Sequence, residues 1–165
     1  IKEILKHTPE WHPDHQLLSQ ALEVMSNSAQ ESDGKVREAE RRKNLVVLQN
    51  SIRDCPQIID PARALIGHYT LKKPLEELYI LTDMIIVSKE RTEPISRQKY
   101  RIVKKIVNLD KVYSVNRESD IVILHTDGPD FIFEINHKAE EVVETIERLV
   151  RDLLLSQLSR PRMTT

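Results

Sequence analysis

From Asp14 to about Asp54 the apolar residues Leu18, Leu22, Met25, Ala29, Val36, Leu45, Leu48 and Ile52 mostly recur every three or four positions, with no proline between them. That spacing collects them on one face of an α-helix, so the pattern predicts a single long helix. Gly34 lies within it at a cost of about 1 kcal/mol relative to alanine, and a local weakness or bend is expected near Ser32, Asp33 and Gly34. Pro56 should stop the helix, because a proline ring disfavours helical backbone in the residue before it.

Beyond Pro61 the period drops to two, or to short apolar runs: "ALIGHYTL", "ELYILTD", "MIIVSKE", "KIVNLDKVYSV", "DIVILHTD" and "DFIFEIN". These read as six or seven antiparallel strands in a meander. Asp127-Gly128-Pro129-Asp130 is a strong hairpin turn signal, Thr82-Asp83 is a tighter and weaker one, and the polar "SKERTEPISRQKY" reads as a longer loop. Helical spacing then returns through Val142, Ile146, Leu149, Val150 and Leu153, with Asn136 as the expected cap and Glu140 and Glu141 near the positive end of the helix. The pattern is that of an α+β chain: a long helix, then an antiparallel β-unit closed by a second helix, with Ser159 to Thr165 as a frayed tail.

Bulk composition narrows the function. A hydrophobic fraction of 39% over 165 residues supports a real core, and 25 basic against 26 acidic residues leave no net field toward nucleic acid or membrane. One cysteine, Cys55, excludes an internal disulfide and fits a reducing compartment, so a cytoplasmic location is expected. No apolar run approaches the roughly 20 residues of a membrane span. The first residues, Ile-Lys-Glu-Ile-Leu-Lys, read as the interior of an amphipathic helix without a cap, so the chain is expected to be a fragment.

"HTPEWHPDHQ", residues 7 to 16, is the densest group of metal-ligating side chains, with His7, His12, Asp14 and His15. Pro9 and Pro13 argue instead for an extended corner into the long helix, with Pro13 in its first turn, Asp14 beside its positive end and Trp11 covering the corner. No metal and no cofactor are expected. Three glycines provide no phosphate-cradling loop, and no GxSxG, HExxH or CxxC occurs, so no covalent enzyme chemistry is expected either. The basic run Lys35 to Lys43 reads as a solvated helix face with pairs such as Glu38 with Arg42.

The strand order and "ELYILTDMIIVSKE" resemble a pleckstrin-homology domain, in which about seven antiparallel strands form a barrel closed by a C-terminal helix; "YRIVKKIVNLDKVYSV" is similar to its fourth-strand region. Upstream, "IKEILKHTPEWHPDHQLLSQALEVM" resembles the end of a Dbl-homology domain, the exchange-factor domain for Rho-family GTPases. This tandem implies a Rho-family guanine nucleotide exchange factor, with the C-terminal helical part of a Dbl-homology domain at 1–55, a pleckstrin-homology domain at 56–158 and the tail at 159–165. It implies a Rho-family small GTPase as partner, and Asp33 stands where the family carries a GTPase-contacting asparagine. The fragment alone is expected to be inactive, since most of the exchange domain lies outside it. It also implies a weak contact with an anionic membrane surface, for which Lys72, Lys73, Arg97, Lys99, Arg101 and Lys104 are the candidates, while Glu76 and Glu77 would repel a phosphoinositide headgroup. The competing reading is a non-catalytic peptide- or lipid-binding module with a helical arm.

Overall fold

The computed structural model describes residues 1 to 158, and the expected tail at 159–165 lies outside them. The chain forms two compact units, Ile1–Glu40 and Arg41 onward. The first holds α1 (Lys2–His7) and most of α2 (Pro13–Ser51). Every residue from Glu23 to Asn44 is exposed, including Val24, Met25 and Val36. Helix α2 runs unbroken through Gly34, where an added Cβ would meet nothing within 4 Å. The helix is not interrupted there, and the glycine has no packing reason to be there.

The second unit opens with the last turns of α2 and continues through β1 (Ile52–Arg53), β2 (Leu65–Thr70), β3 (Glu76–Leu81), β4 (Met84–Thr92) and β5 (Lys99–Asn108). A 3-10 turn (Leu109–Lys111) leads into β6 (Val112–Glu118), β7 (Ile121–Thr126), β8 (Phe131–Glu134) and α3 (Ala139–Leu158). The α+β class is the one the pattern predicts. Hydrogen bonding divides the strands into a five-stranded sheet, β1-β5-β4-β3-β2, and a three-stranded sheet, β6-β7-β8, rather than one continuous closed barrel. An isolated antiparallel bridge between Leu71 and Ile135 joins them at one corner.

The apolar runs of β3 and β4 explain the packing. Strands buried on one face alternate, as β8 does, whereas Leu78 to Leu81 and Ile85 to Val87 are all buried and therefore need cover on both faces. Inside, Leu78, Ile80, Ile85 and Val87 pack with Val122, Leu124 and Phe133 of the second sheet and with Val142 and Ile146 of α3. Outside, Tyr79, Leu81 and Ile86 pack with Leu45, Leu48, Ile52 and Ile58. The helix thus ends in the outer core. Its Gln49 amide oxygen accepts from Ile58 N at 3.0 Å, and Arg63 grips Asp83 in the β3–β4 turn through two bonds of 2.7 and 2.5 Å, so the segment after the helix is held down at both ends.

Three local expectations change. The long polar loop shrinks to residues 93–98, because β4 and β5 continue outward as a charged hairpin in which Lys99 Nζ meets Glu90 at 3.0 Å. "KIVNLDKVYSV" is not one strand: Leu109, fully buried in the 3-10 turn, carries the chain from one sheet to the other. Asn136 is not the cap of α3, which starts three residues later; its side chain donates to the Leu71 carbonyl at 3.4 Å and supports the corner bridge instead.

Two substitutions check this packing. Ile146→Ala removes a fully buried side chain from the inner core and is expected to cost about 2–5 kcal/mol in denaturant unfolding. Gly34→Ala is expected to stabilise α2 by about 0.5–1 kcal/mol, read as slower amide exchange around it, since the open surroundings cause no clash.

Candidate functional site

The six candidate cations do not form one basic patch. Arg101, in β5, reaches Glu77 of β3 and donates to the buried Ser88 hydroxyl at 3.2 Å, with Glu90 at 3.8 Å. Lys104 binds the buried Glu76 at 2.5 Å, Lys99 binds Glu90, and Lys72 is shared between Glu134 at 2.6 Å and Asp120 at 3.1 Å. Sheet register brings the partners of Arg101, Lys104 and Lys99 together, since β3, β4 and β5 are neighbours and their sequence-distant charges meet across the ladder. An anionic headgroup would have to compete with those carboxylates at four of the six positions. Lys73 and Arg97 are exposed and have no carboxylate partner among the described residues. Arg97 sits at φ 54° in the β4–β5 turn, its N–H bonded to Glu93 O at 3.0 Å.

Glu77 is the centre of a polar cluster that inspection of motifs misses. Its Oε2 accepts from the Tyr79 hydroxyl at 2.5 Å and lies 2.9 Å from His68 Nε2, while Oε1 takes Arg101. The His68 ring stacks on Tyr79 with centroids 4.4 Å apart. A signal was present in the strand period: Glu77 and Tyr79 are two apart and share a face, and His68 lies opposite Tyr79 in the β2–β3 register. Burial works to raise the Glu77 carboxyl, but hydrogen bonds from Tyr79 and His68 and the charge of Arg101 outweigh it and hold the group below the usual carboxylate value. Burial, followed by the bond to Glu77 and its charge, pushes the Tyr79 hydroxyl up to about 12, so it stays a donor.

In the first unit, Asp33 is exposed on α2. Nearby, the Ser32 hydroxyl donates to Ser28 O at 2.9 Å and Lys35 pairs with Glu31 at 2.7 Å. The pair expected between Glu38 and Arg42 does not occur among the described residues, and that stretch is exposed throughout. The histidine group is spread along the corner. His7 faces Glu3 within α1 at 3.3 Å, and His12 Nδ1 accepts from Asp14 N at 3.2 Å, satisfying one of the free N–H groups at the start of α2. No three His, Cys, Asp or Glu side chains among the described residues are placed to hold one metal ion. Trp11 does not cover the corner: it is 82% exposed. No helix among the described residues is long and apolar enough to cross a membrane. Cys55 is half-buried, and burial raises its thiol.

No protein-family model matches the chain. Its curated relatives agree with one another nonetheless: the chain is similar to Rho and Rac guanine nucleotide exchange factors. It is 29% identical over 158 residues to "Guanine exchange factor for Rac 30" of Dictyostelium discoideum, covering 82% of this chain and 10% of that protein. It is 29% identical over 109 residues to "Rho guanine nucleotide exchange factor 3" of Gallus gallus (61% and 20%), and 24% identical over 122 residues to "Rac guanine nucleotide exchange factor B" of D. discoideum (70% and 10%). The chain therefore spans between 10% and 20% of the length of these relatives.

The Glu77 cluster makes a pH dependence with a definite sign. A carboxylate held below its unfolded value stabilises the fold fully above that unfolded value, and the contribution is lost as pH falls through the lowered one. Acid unfolding should therefore steepen below the ordinary carboxylate range, and Glu77→Gln should flatten that limb of the stability curve while lowering stability at neutral pH.

Proposed function

We propose that this chain is part of a guanine nucleotide exchange factor for a Rho-family small GTPase. The observation that carries the reading is the reach of one similarity: 82% of the chain matches an exchange factor for Rac, a share larger than either compact unit, so the match draws on both the exposed helix and the sheets. In this reading residues 1–55 are the last helical part of a Dbl-homology domain. Residues 56–158 are a pleckstrin-homology domain, supported by the arrangement of a four-strand meander, a three-strand meander and a closing helix in the second unit. Exchange makes no covalent bond. The helical domain binds the nucleotide-free GTPase better than the loaded one, remodels the switch segments around magnesium and phosphate, and so lowers the barrier to GDP release until GTP enters.

The uninterrupted exposure from Glu23 to Asn44, with Val24, Met25 and Val36 in water, supports this stretch of α2 as a surface that the rest of the helical domain and the GTPase would cover. Asp33 is the GTPase-facing candidate within it. The test is release of a fluorescent GDP analogue from a panel of Rho-family GTPases by the full-length parent protein. Acceleration of at least one member is expected, and Asp33→Lys should change that rate about tenfold while moving thermal stability by no more than about 0.5 kcal/mol, as for an exposed site. Failure on the whole panel would sink the reading.

In the same reading the second unit makes a weak contact with an anionic membrane, and the parent protein is cytoplasmic with recruitment to the membrane periphery. Glu90 N donates to Leu75 O at 2.8 Å, so the β2–β3 loop lies against the end of β4, from which the β4–β5 hairpin continues. Exposed Leu75 and Ile95 at the two tips, together with Lys73 and Arg97, suit an anionic bilayer surface. Sedimentation with phosphatidylserine vesicles should show binding that fades at high salt and weakens in Arg97→Glu; unchanged pelleting with and without anionic lipid would reject it.

A further inference from the structure

Between the two sheets, at the mouth of the inner core, lies a cavity of about 250 Å³. Its floor is apolar: Val87 and the rings of Phe131 and Phe133, whose centroids are 5.2 Å apart, meet Leu71 from the corner bridge. Its rim is charged, with Lys73, Glu76, Lys104 and Glu134. The geometry points to a binding site for a small amphiphile with an apolar body and one anionic end, taken up singly in the cavity and sharing Lys73 with the membrane contact proposed above.

The polarity follows from the charge pairing. Glu76, with a side chain only 5% exposed, is neutralised by Lys104 at 2.5 Å, and Glu134 is neutralised by Lys72, which also holds Asp120. Of the rim cations, Lys73 alone has no carboxylate partner among the described residues. A guest cation would find each rim acid already paired, whereas a guest anion finds an unpaired ammonium at the solvent side. The floor offers only apolar side chains, so the apolar end enters first and the anionic end stays at Lys73. Drug-sized ligands fill pockets of about 300 Å³ and upward, so the guest is smaller than that.

Octanoate is the probe, titrated into the chain of residues 1–165 and followed by NMR at the Val87 methyls and the Phe131 and Phe133 rings, with 1-octanol and octylammonium as comparators. Saturable shifts at these three residues, with octanoate tighter than either comparator, are expected. Lys73→Gln should weaken octanoate about tenfold, the scale of one charged hydrogen bond, and leave octanol unchanged. Shifts that do not saturate or that spread over exposed apolar residues elsewhere, equal affinity for octanoate and octanol, or an unaltered octanoate affinity in Lys73→Gln would each overturn the site. None of these results depends on nucleotide exchange, so the two readings fail separately.

Discussion

Burial of the β3–β4 hairpin on both faces is the constraint on which the second unit rests. Eight apolar side chains, Leu78 to Leu81 and Met84 to Val87, stand on two strands joined by two residues, and sheets of this kind are stable only when each face is taken out of water. One face is answered by the second sheet and α3. The other recruits Leu45 and Leu48 from the end of α2, spaced so that both fall on one side of the helix, and Ile52 from the strand that follows. The end of α2 is thereby part of a core, and the strand β1 that follows it pairs with β5 in parallel, Ile52 beside Arg101.

The charges follow the same logic. A chain with nearly equal acids and bases has little spare field, and the sheet uses its bases internally: Arg101 with Glu77, Lys104 with Glu76, Lys99 with Glu90. Exposed pairs contribute little each, but the buried carboxylate of Glu76 and the half-buried one of Glu77 would be costly without their partners. Among the surfaces that stay open to a partner are the tips at Leu75 and Ile95, Lys73 and Arg97, and the exposed length of α2.

Much of the fold was determined by the sequence alone, because period and punctuation act locally. Three-to-four spacing up to Ile52, alternation and short apolar runs after Pro61, Asp127-Gly128-Pro129-Asp130 and the proline corner at Pro13 all specify backbone states that neighbouring residues enforce. The division into two sheets, the β4–β5 hairpin built from polar residues, the buried 3-10 turn at Leu109 and the use of Asn136 at the corner were decided by tertiary structure. Each depends on a partner far away in the chain: Glu90 on Lys99 and Arg101, Leu109 on the junction between sheets, Asn136 on Leu71. The same holds for the side chains with chemistry to offer. Composition names Lys73 and Lys104 as equals, but only register and burial pair one with Glu76 and leave the other facing water, since a charge's availability is set by what the fold places beside it.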